Sequence, residues 1–214
     1  MITLKVIILL IISYLWGSVA WGYIIGKSKG IDIREHGSCN VGSTNITRTL
    51  GKKYGILCFI LDFFKGFIPV ICVMTFIPYI FNLSSNIIGV AVIIVVIGTI
   101  AGHIFPFYLK FKGGKGIASG AGALIAITPL AVICGLIVWV FTFKHSRYVS
   151  LASIFAAITV AVLTIVFSSI GWYHVSASLQ YFVVLLAIFA IVKHISNIKR
   201  LINGTENRFE KKTK

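Results

Sequence analysis

The sequence predicts an all-α integral membrane protein, from its hydropathy, the length of its apolar blocks and the placement of its charges. Of 214 residues, 58% are hydrophobic and 12% are charged, and the mean hydropathy is +0.99. An average soluble chain is about 25% charged, so this one has roughly half the polar surface that water requires. The apolar residues form blocks of about the ~20 residues that a membrane-spanning helix needs. A soluble fold is excluded.

Six apolar blocks reach spanning length: residues 4–25, 56–80, 87–109, 117–143, 149–170 and 179–198. The first block resembles a signal peptide, because Ser18-Val19-Ala20 is similar to a cleavage site. Five further blocks follow it, so we interpret it as an uncleaved span.

The loops between the blocks differ in charge. Residues 27–53, 110–115, 144–147 and the tail from 193 are basic, whereas 81–86 and 171–178 contain no Lys, Arg or acid. Lys and Arg accumulate on the cytoplasmic side of a membrane. As a single span, residues 117–143 would place the basic residues Lys115 and Arg147 on opposite sides.

A hairpin of two short helices removes this conflict. Its break is expected near Thr128-Pro129, since proline lacks a backbone donor and disfavours helix at the preceding residue. The sequence therefore predicts seven transmembrane helices including a short central hairpin, with the N-terminus outside and the C-terminus cytoplasmic. We expect one domain over residues 1–214, with a flexible tail after about residue 204.

The charge balance is strongly basic, with 20 Lys and Arg against five acids and a formal net charge of +15. Nucleic-acid binding is one interpretation, and the cytoplasmic face of a membrane protein is the other. The hydropathy favours the second, so no nucleic-acid partner is expected. The sequence has neither a CxxC pair nor an HExxH motif, so it indicates no metal site and no cofactor.

Three glycine pairs have the spacing that lets helices approach closely. An alternative is that glycine is simply common in membrane spans. The pairs are Gly22/Gly26, Gly98/Gly102 and Gly116/Gly120.

Polar residues concentrate in four segments that share the predicted cytoplasmic side. In the first, residues 35–48, Gly37 and Gly42 allow turns with positive φ, and the Asn, Ser and Thr side chains both donate and accept hydrogen bonds. Such a loop could wrap an oxyanion. The alternative is an ordinary turn-rich connection, but Arg48 in the same segment favours an anion site.

The second segment contains His103 and then Lys110-Phe111-Lys112-Gly113-Gly114-Lys115-Gly116 before the next helix. Backbone N–H groups and the helix dipole attract anions at such a position. It is not a Walker A loop, because Gly116 occupies the place of the required Ser or Thr. Phosphate binding without nucleotide hydrolysis is indicated, and an anchor for anionic lipid headgroups is the alternative.

The third and fourth segments add Ser146-Arg147 and a helix end with His194 and Asn197. Arg147 alone would be interpreted as a membrane anchor whose long side chain snorkels to the lipid–water interface. His194 and Asn197 are three residues apart and can share a helix face as an acid/base or orienting pair. A cytoplasmic helix cap is the alternative.

Asp62 and Lys65 lie three residues apart inside the second span, where ionisable residues are usually paired or functional. Mutual neutralisation is the main interpretation, and participation in the site is the alternative.

These segments resemble motifs of the bacterial integral-membrane acyl-phosphate:glycerol-3-phosphate acyltransferases. The four segments are similar, in order, to that family's GSGNxGxTNxxR, GHxFPxFLxFKGGKG, SRYxSxxS and KHxxNIxRLxxGxE motifs. The similarity runs from Gly17 to Glu206. Cys39 stands where the family commonly has Gly, and Ser43 where it commonly has Ala.

The resemblance implies transfer of a fatty acyl group from acyl phosphate to the 1-hydroxyl of sn-glycerol 3-phosphate, forming lysophosphatidic acid and inorganic phosphate. This is the first step of phospholipid synthesis. It further implies a multi-pass monomer in the bacterial plasma membrane, with the active site on the cytoplasmic face. Its partners would be the two substrates, membrane lipid and, by functional coupling, an enzyme that forms acyl phosphate.

The resemblance also implies roles for individual residues. The catalytic residues would be Ser38, His194 and Asn197. The substrate-binding residues would be Asn40, Thr44, Asn45, Arg48, His103, Gly113, Gly114, Lys115, Gly116, Ser146, Arg147, Arg200 and Glu206.

An acyl phosphate is a mixed anhydride with a good leaving group, so positioning and charge neutralisation are its main requirements. We expect direct attack by the glycerol hydroxyl, whose proton passes to His194 or to a substrate phosphate. A Ser38 nucleophile is the alternative mechanism. A transporter of a small organic phosphate is the alternative function, but confinement of the basic segments to one side favours chemistry at one interface.

Overall fold

The structure, a computed structural model, describes residues 2–82 and 84–210, without the side chains of residues 2, 3, 85 and 86. Helices dominate, and the described residues contain no strand. The helices are α1 (Ile2–Gly17), α2 (Trp21–Ser28), α3 (Ser43–Leu50), α4 (Lys52–Thr75), α5 (Ile77–Phe81), α6 (Ser85–Ile104), α7 (Ile117–Ile127), α8 (Pro129–Ser146), α9 (Val149–Ser169), α10 (Ala177–Val192) and α11 (Ile195–Ile202), with short 3₁₀ turns at Ile33–Glu35 and Phe107–Leu109. The predicted all-helical fold is confirmed.

Several helices are long and apolar enough to cross a membrane. Five such segments lie within the described residues: Leu4–Ser28, Lys52–Thr75, Ile87–Leu109, Pro129–Ser146 and Val149–Ser169. A sixth results if α10 and α11, which are bent by 51°, count as one span. Large apolar side chains on their surfaces, such as Leu4 and Ile12 on α1, are exposed as a lipid solvent requires.

The fourth apolar block is broken where the sequence predicts. Helix α7 ends at Ile127 and α8 begins at Pro129, with Thr128 between them. The prediction that both helices are short is correct for α7, with 11 residues, and wrong for α8, with 18. An 18-residue helix is about 27 Å long, close to the thickness of a bilayer core. It continues through Lys144 and His145 because no helix breaker precedes Arg147.

The chain forms two compact units, Met1–Ala126 and Ile127–Lys214. In the first unit, α1 packs along α6, and α4 packs against α3 and α6. Glycines permit the α1–α6 contact, because a Cβ on Gly102 would overlap the Tyr14 carbonyl and one on Gly98 would overlap the Ser13 hydroxyl. The predicted close approach is thus confirmed for Gly98/Gly102. The predicted close approach is wrong for Gly120, where an added Cβ would lie 4.0 Å from Ile100 Cδ1, an ordinary contact distance.

In the second unit, α9 packs against both α8 and α10. Three side-chain hydroxyl groups meet at the break between α7 and α8. Thr128 Oγ1 lies 3.1 Å from Thr164 Oγ1 and also contacts the Tyr173 hydroxyl.

The described part of the C-terminal segment returns to the turn between α8 and α9. The Phe209 N–H donates to the Arg147 carbonyl at 3.1 Å, and the Phe209 ring packs edge-on to Phe143 at 5.6 Å between centroids. The flexible tail after about residue 204 stays a prediction, and residues 211–214 lie outside the described part of the chain.

The α1–α6 contact can be tested with a matched pair of alanine variants. Gly102→Ala is expected to destabilise the protein by about 1–3 kcal/mol, because the new methyl group overlaps main-chain atoms of α1. Gly120→Ala, whose Cβ has ordinary space, is expected to stay within about 0.5 kcal/mol of the parent. Thermal unfolding in detergent measures both, and equal losses would contradict this packing.

Candidate functional site

The loop between α2 and α3 is built around the side chain of Asn45. This amide is buried; its Oδ1 accepts the Ser38 N–H at 2.8 Å. Its Nδ2 lies 3.1 Å from the Ile33 carbonyl and 2.9 Å from the carbonyls of His36 and Asn40. Asn45 therefore holds the loop in shape, and its role as a substrate ligand stays a prediction.

The tip of this loop presents Ser38 and Cys39 at the surface. Both residues are exposed, and Cys39 has a φ of +57°, in the left-handed region. Asn40 Oδ1 accepts the Gly42 N–H at 2.8 Å, one residue before α3 begins. The loop therefore enters α3 in a fixed conformation with the Ser38 side chain exposed.

Helix α3 carries two further predicted site residues, Thr44 and Arg48. They are four residues apart, so they share one face of the helix, and both are half-buried. The structure thus brings a hydroxyl and a guanidinium together on the helix that follows the Ser38 loop.

An acidic side chain at the start of this loop is paired. Asp32 Oδ2 lies 2.7 Å from Arg34 Nη2 and 3.4 Å from Lys27 Nζ. Hydrogen bonding from Arg34 holds the pKa of Asp32 well below its usual range, against a smaller opposing effect of burial. Asp32 is therefore ionised at neutral pH and compensates part of the local positive charge.

The glycine-rich loop folds back onto the end of α6. The Gly113 N–H donates to the Ile104 carbonyl at 2.9 Å, and the Gly114 N–H donates to the His103 carbonyl at 3.0 Å. The two N–H groups hold the loop, so donation to a phosphate, as predicted, would require these bonds to open. Gly116 has a φ of +80° directly before α7, and Lys115 beside it is half-buried.

His103 lies behind this loop, in the interior of the first unit. Its ring is buried, with Nδ1 2.9 Å from Lys65 Nζ and 3.3 Å from Ser119 Oγ. The predicted Asp62–Lys65 pair is confirmed, with Oδ1 and Nζ 2.9 Å apart. His103 therefore belongs to a buried polar network, a setting that its predicted role as a substrate ligand did not anticipate.

In the second unit, Glu206 connects α9, α11 and the C-terminal segment. Its Oε1 accepts from Ser150 Oγ at 2.9 Å and Asn197 Nδ2 at 2.7 Å, and its Oε2 accepts from Arg200 Nε at 2.7 Å. Burial raises the pKa of Glu206, but the hydrogen bonds from Asn197, Ser150 and Arg200 together lower it below its usual value. The carboxylate organises this end of the unit, and its role in substrate binding stays a prediction.

Ser146 and Arg147 form the turn between α8 and α9. Ser146 Oγ donates to the Thr142 carbonyl at 2.7 Å and accepts the Tyr148 N–H at 3.2 Å. Arg147 caps α8 in the left-handed conformation, with a φ of +64°, and is half-buried. The main chain around the predicted arginine is therefore fixed by its neighbours.

His194 occupies the bend between α10 and α11. The residue is buried, and its Nδ1 lies 2.8 Å from the Ala190 carbonyl oxygen. A carbonyl oxygen only accepts, so Nδ1 carries the proton and Nε2 of the neutral ring has the lone pair. Asn197, one turn later, is fixed by Glu206.

Within each unit, the predicted residues lie on a few local segments. In the first unit, Ser38, Asn40, Thr44, Asn45 and Arg48 lie on one loop and helix, and His103, Gly113, Gly114, Lys115 and Gly116 lie at the end of α6 and in the loop after it. In the second unit, Asn197, Arg200 and Glu206 are joined by hydrogen bonds, Ser146 and Arg147 lie where α8 ends, and His194 lies at the bend before α11. Sequence reasoning missed Ser119 and assigned no partner to Ser150 of the SRYxSxxS motif, since neither lies close in sequence to its partner.

Comparison with known proteins identifies the family. The family model for glycerol-3-phosphate acyltransferase matches residues 7–204. This chain belongs to the glycerol-3-phosphate acyltransferase family. The predicted family resemblance is confirmed, and the protein is an enzyme of the acyltransferase class in an integral membrane fold.

Related enzymes match over almost their full length. The chain is 39% identical to the glycerol-3-phosphate acyltransferase of Aquifex aeolicus, covering 96% of this chain and 100% of that one. It is 40% identical to the enzyme of Desulforamulus reducens, with 100% of both chains covered.

Solved structures are similar as well. The glycerol 3-phosphate form of PlsY (YgiH), an integral membrane glycerol 3-phosphate acyltransferase, has a TM-score of 0.82 at 38% identity, with 96% of each chain covered. Its lysophosphatidic acid form has a TM-score of 0.80 at the same identity, covering 96% of this chain and 95% of that one.

The departure of this acyltransferase at Cys39 can be tested directly. The left-handed backbone conformation destabilises a residue other than glycine by about 1–2 kcal/mol. Cys39→Gly is therefore expected to leave the Tm unchanged or to raise it, and to retain turnover. Cys39→Val, with a branched side chain at the same φ, is expected to lower the Tm. Loss of turnover in Cys39→Gly would instead assign the thiol a role in the reaction.

The Glu206 network of the acyltransferase gives a pH-dependent prediction. The folded pKa of Glu206 is lowered, so its stabilisation is present above the unfolded pKa of about 4.3 and is lost as pH falls through the folded value. Glu206→Gln is expected to cost about 1–3 kcal/mol at pH 7 and less near pH 4. Unfolding at both pH values measures the difference, and a cost that grows on acidification would contradict the pairing.

Proposed function

We propose that this acyltransferase uses acyl phosphate as its donor and acylates the 1-hydroxyl of sn-glycerol 3-phosphate. The products are lysophosphatidic acid and inorganic phosphate. The observation that carries the proposal is the match over 96% of the chain to PlsY in forms that contain glycerol 3-phosphate and lysophosphatidic acid. An acceptor and a product of this kind require a basic site at a membrane.

The residues of this chain favour an acyl phosphate over a thioester donor. The sequence has no HxxxxD pair. Its GxSxG string, Gly26-Lys27-Ser28-Lys29-Gly30, lies at the end of helix α2, where Ser28 Oγ donates to the Ile25 carbonyl at 2.8 Å, and not at the strand-to-helix turn of a nucleophile elbow. An acyl phosphate already carries a good leaving group, and its departing charge needs neutralisation. Arg48 and Lys115 supply that kind of charge.

The reaction is a direct acyl transfer. The 1-hydroxyl oxygen attacks the acyl carbonyl carbon, and the bond from that carbon to the phosphate oxygen breaks. The electron pair of the broken bond leaves with inorganic phosphate. The hydroxyl proton passes to His194 Nε2, which bears the lone pair because Nδ1 donates to Ala190, or to a substrate phosphate.

The family motifs imply a role for each group of residues. Ser38, Asn40 and Thr44 bind the acyl phosphate with Arg48 and Lys115. Ser146 and Arg147 bind the phosphate of the acceptor. His194 and Asn197 orient the acceptor hydroxyl. Asn45 and Glu206 act by holding these residues, as their hydrogen bonds indicate.

We also propose a plasma-membrane location with the active site on the cytoplasmic face. Seven membrane helices result if α1 with α2 and α10 with α11 count as single spans, α4, α6, α7, α8 and α9 count separately, and the short helices α3 and α5 are left out. The four basic segments then lie on the cytoplasmic side, the N-terminus lies outside and the C-terminus inside. The protein acts as a monomer, coupled functionally to an enzyme that forms its acyl phosphate.

The proposal is tested with purified protein in lipid, given palmitoyl phosphate with and without glycerol 3-phosphate. We expect lysophosphatidic acid and phosphate only with both substrates, and no product from acyl-CoA or acyl-carrier protein. Lys115→Ala and Arg48→Ala are expected to lower turnover by about 100-fold, because each removes a charge that binds phosphate. Lys112→Ala, an exposed lysine of the same loop, is the matched control and retains activity.

Three outcomes would contradict this account. Wild-type turnover in both charge variants would exclude the site. An acylated Ser38 after incubation with donor alone would exclude direct transfer. Passage of labelled glycerol 3-phosphate across liposomes without product would favour a transporter.

A further inference from the structure

The ammonium group of Lys65 sits at the centre of a buried network in the first unit. The side chain is 1% exposed. Its Nζ donates to the Val19 carbonyl at 2.8 Å and to His103 Nδ1 at 2.9 Å, and it lies 2.9 Å from Asp62 Oδ1. Two of the three ammonium donors therefore have hydrogen-bond acceptors, and Asp62 Oδ1 pairs with the ammonium by charge without an aligned hydrogen bond. Asp62 balances its charge.

One of these acceptors belongs to a break in a membrane helix. Val19 lies between α1 and α2, where the main chain leaves the helical pattern. The Tyr108 hydroxyl accepts the Ala20 N–H at 2.7 Å and donates to the Ser18 carbonyl at 2.8 Å. Main-chain groups at membrane depth need such partners, because lipid offers none. Lys65 and Tyr108 together close this break.

Another acceptor leads to the glycine loop. Since Lys65 donates to Nδ1, the neutral ring of His103 carries its proton on Nε2. That nitrogen packs against Gly114, where a Cβ would overlap it, and the Gly114 N–H donates to the His103 carbonyl at 3.0 Å. Both the ring and the main chain of His103 therefore contact the loop residue that precedes Lys115.

Mutual neutralisation of Asp62 and Lys65 does not by itself explain why this buried ion pair is present. Apolar residues of similar volume can replace a buried ion pair at little or no cost in stability. They would supply no donor to the Val19 carbonyl or to His103 Nδ1. The ion pair therefore provides an orientation for His103 that apolar packing cannot provide.

We propose that Lys65, charge-balanced by Asp62, is a positioning residue for acyl transfer: it orients the His103 ring and thereby sets the loop of residues 113–116 that carries Lys115. This inference deepens the proposed function and rests on it for the role of Lys115. Lys65 acts through His103 and the loop rather than by touching a substrate.

The test replaces both charges by apolar residues of similar size, Asp62→Leu with Lys65→Met. No buried charge is then left unpaired, but the Val19 carbonyl and His103 Nδ1 lose a donor, so we expect a folded protein whose Tm is lower than that of the wild type and higher than that of Lys65→Met alone. We also expect faster hydrogen–deuterium exchange in the 105–116 segment without substrate, and unchanged exchange in 43–50. The kcat/KM for glycerol 3-phosphate should fall by roughly 10- to 100-fold, mainly through a higher KM. Lys65→Met alone leaves Asp62 unpaired and should lower the Tm.

A folded double variant with wild-type exchange and wild-type kcat/KM would overturn the proposal, because the pair would then only neutralise itself. If the double variant does not fold, His103→Asn decides. Its Oδ1 can still accept from Lys65, but it lacks the ring atom that contacts Gly114, so exchange in 105–116 should again rise. Unchanged exchange would overturn the inference. If the wild type makes no product from acyl phosphate, the proposed donor fails, while the exchange comparison still decides the role of Lys65.

Discussion

Main-chain groups inside a membrane must find partners in the protein, and this constraint governs the structure wherever a helix is interrupted. Between α1 and α2, Lys65 and Tyr108 supply those partners. At Thr128, the main-chain carbonyl accepts the Val132 N–H of the next helix, and the side-chain hydroxyl contacts the hydroxyl groups of Thr164 and Tyr173. At the bend before α11, the His194 ring donates to the Ala190 carbonyl. The scarce polar residues of the spans are therefore used first to close breaks in helices, and the same residues hold the segments to which we assign function.

The acidic residues play a corresponding part in a chain of net charge +15. Asp32, Asp62 and Glu206 each form an ion pair with a Lys or Arg close in sequence. Each pair anchors a segment: the Ser38 loop, the interior behind the glycine loop, and the C-terminal segment. The remaining excess of positive charge suits a reaction in which both proposed substrates carry phosphate.

Local rules and the family motifs predicted much of this arrangement. Proline chemistry located the break at Thr128, and the motifs marked the segments that contain the candidate site. The preference for glycine at position 39 is explained by the left-handed backbone of Cys39. The roles of Asn45, His103 and Glu206 were not predictable, because their partners are set by tertiary folding: Glu206 and Ser150, for example, are 56 residues apart. A motif identifies polar residues, but only the structure shows which of them hold the others.

The central claim is that the acyl group comes from acyl phosphate and passes directly to glycerol 3-phosphate. The most direct test compares the amounts of inorganic phosphate and lysophosphatidic acid formed by the purified protein in lipid from palmitoyl phosphate and glycerol 3-phosphate. The account predicts equal amounts, with neither product formed when the acceptor is absent. Lysophosphatidic acid formed from a thioester donor, or phosphate released at the same rate without the acceptor, would contradict it.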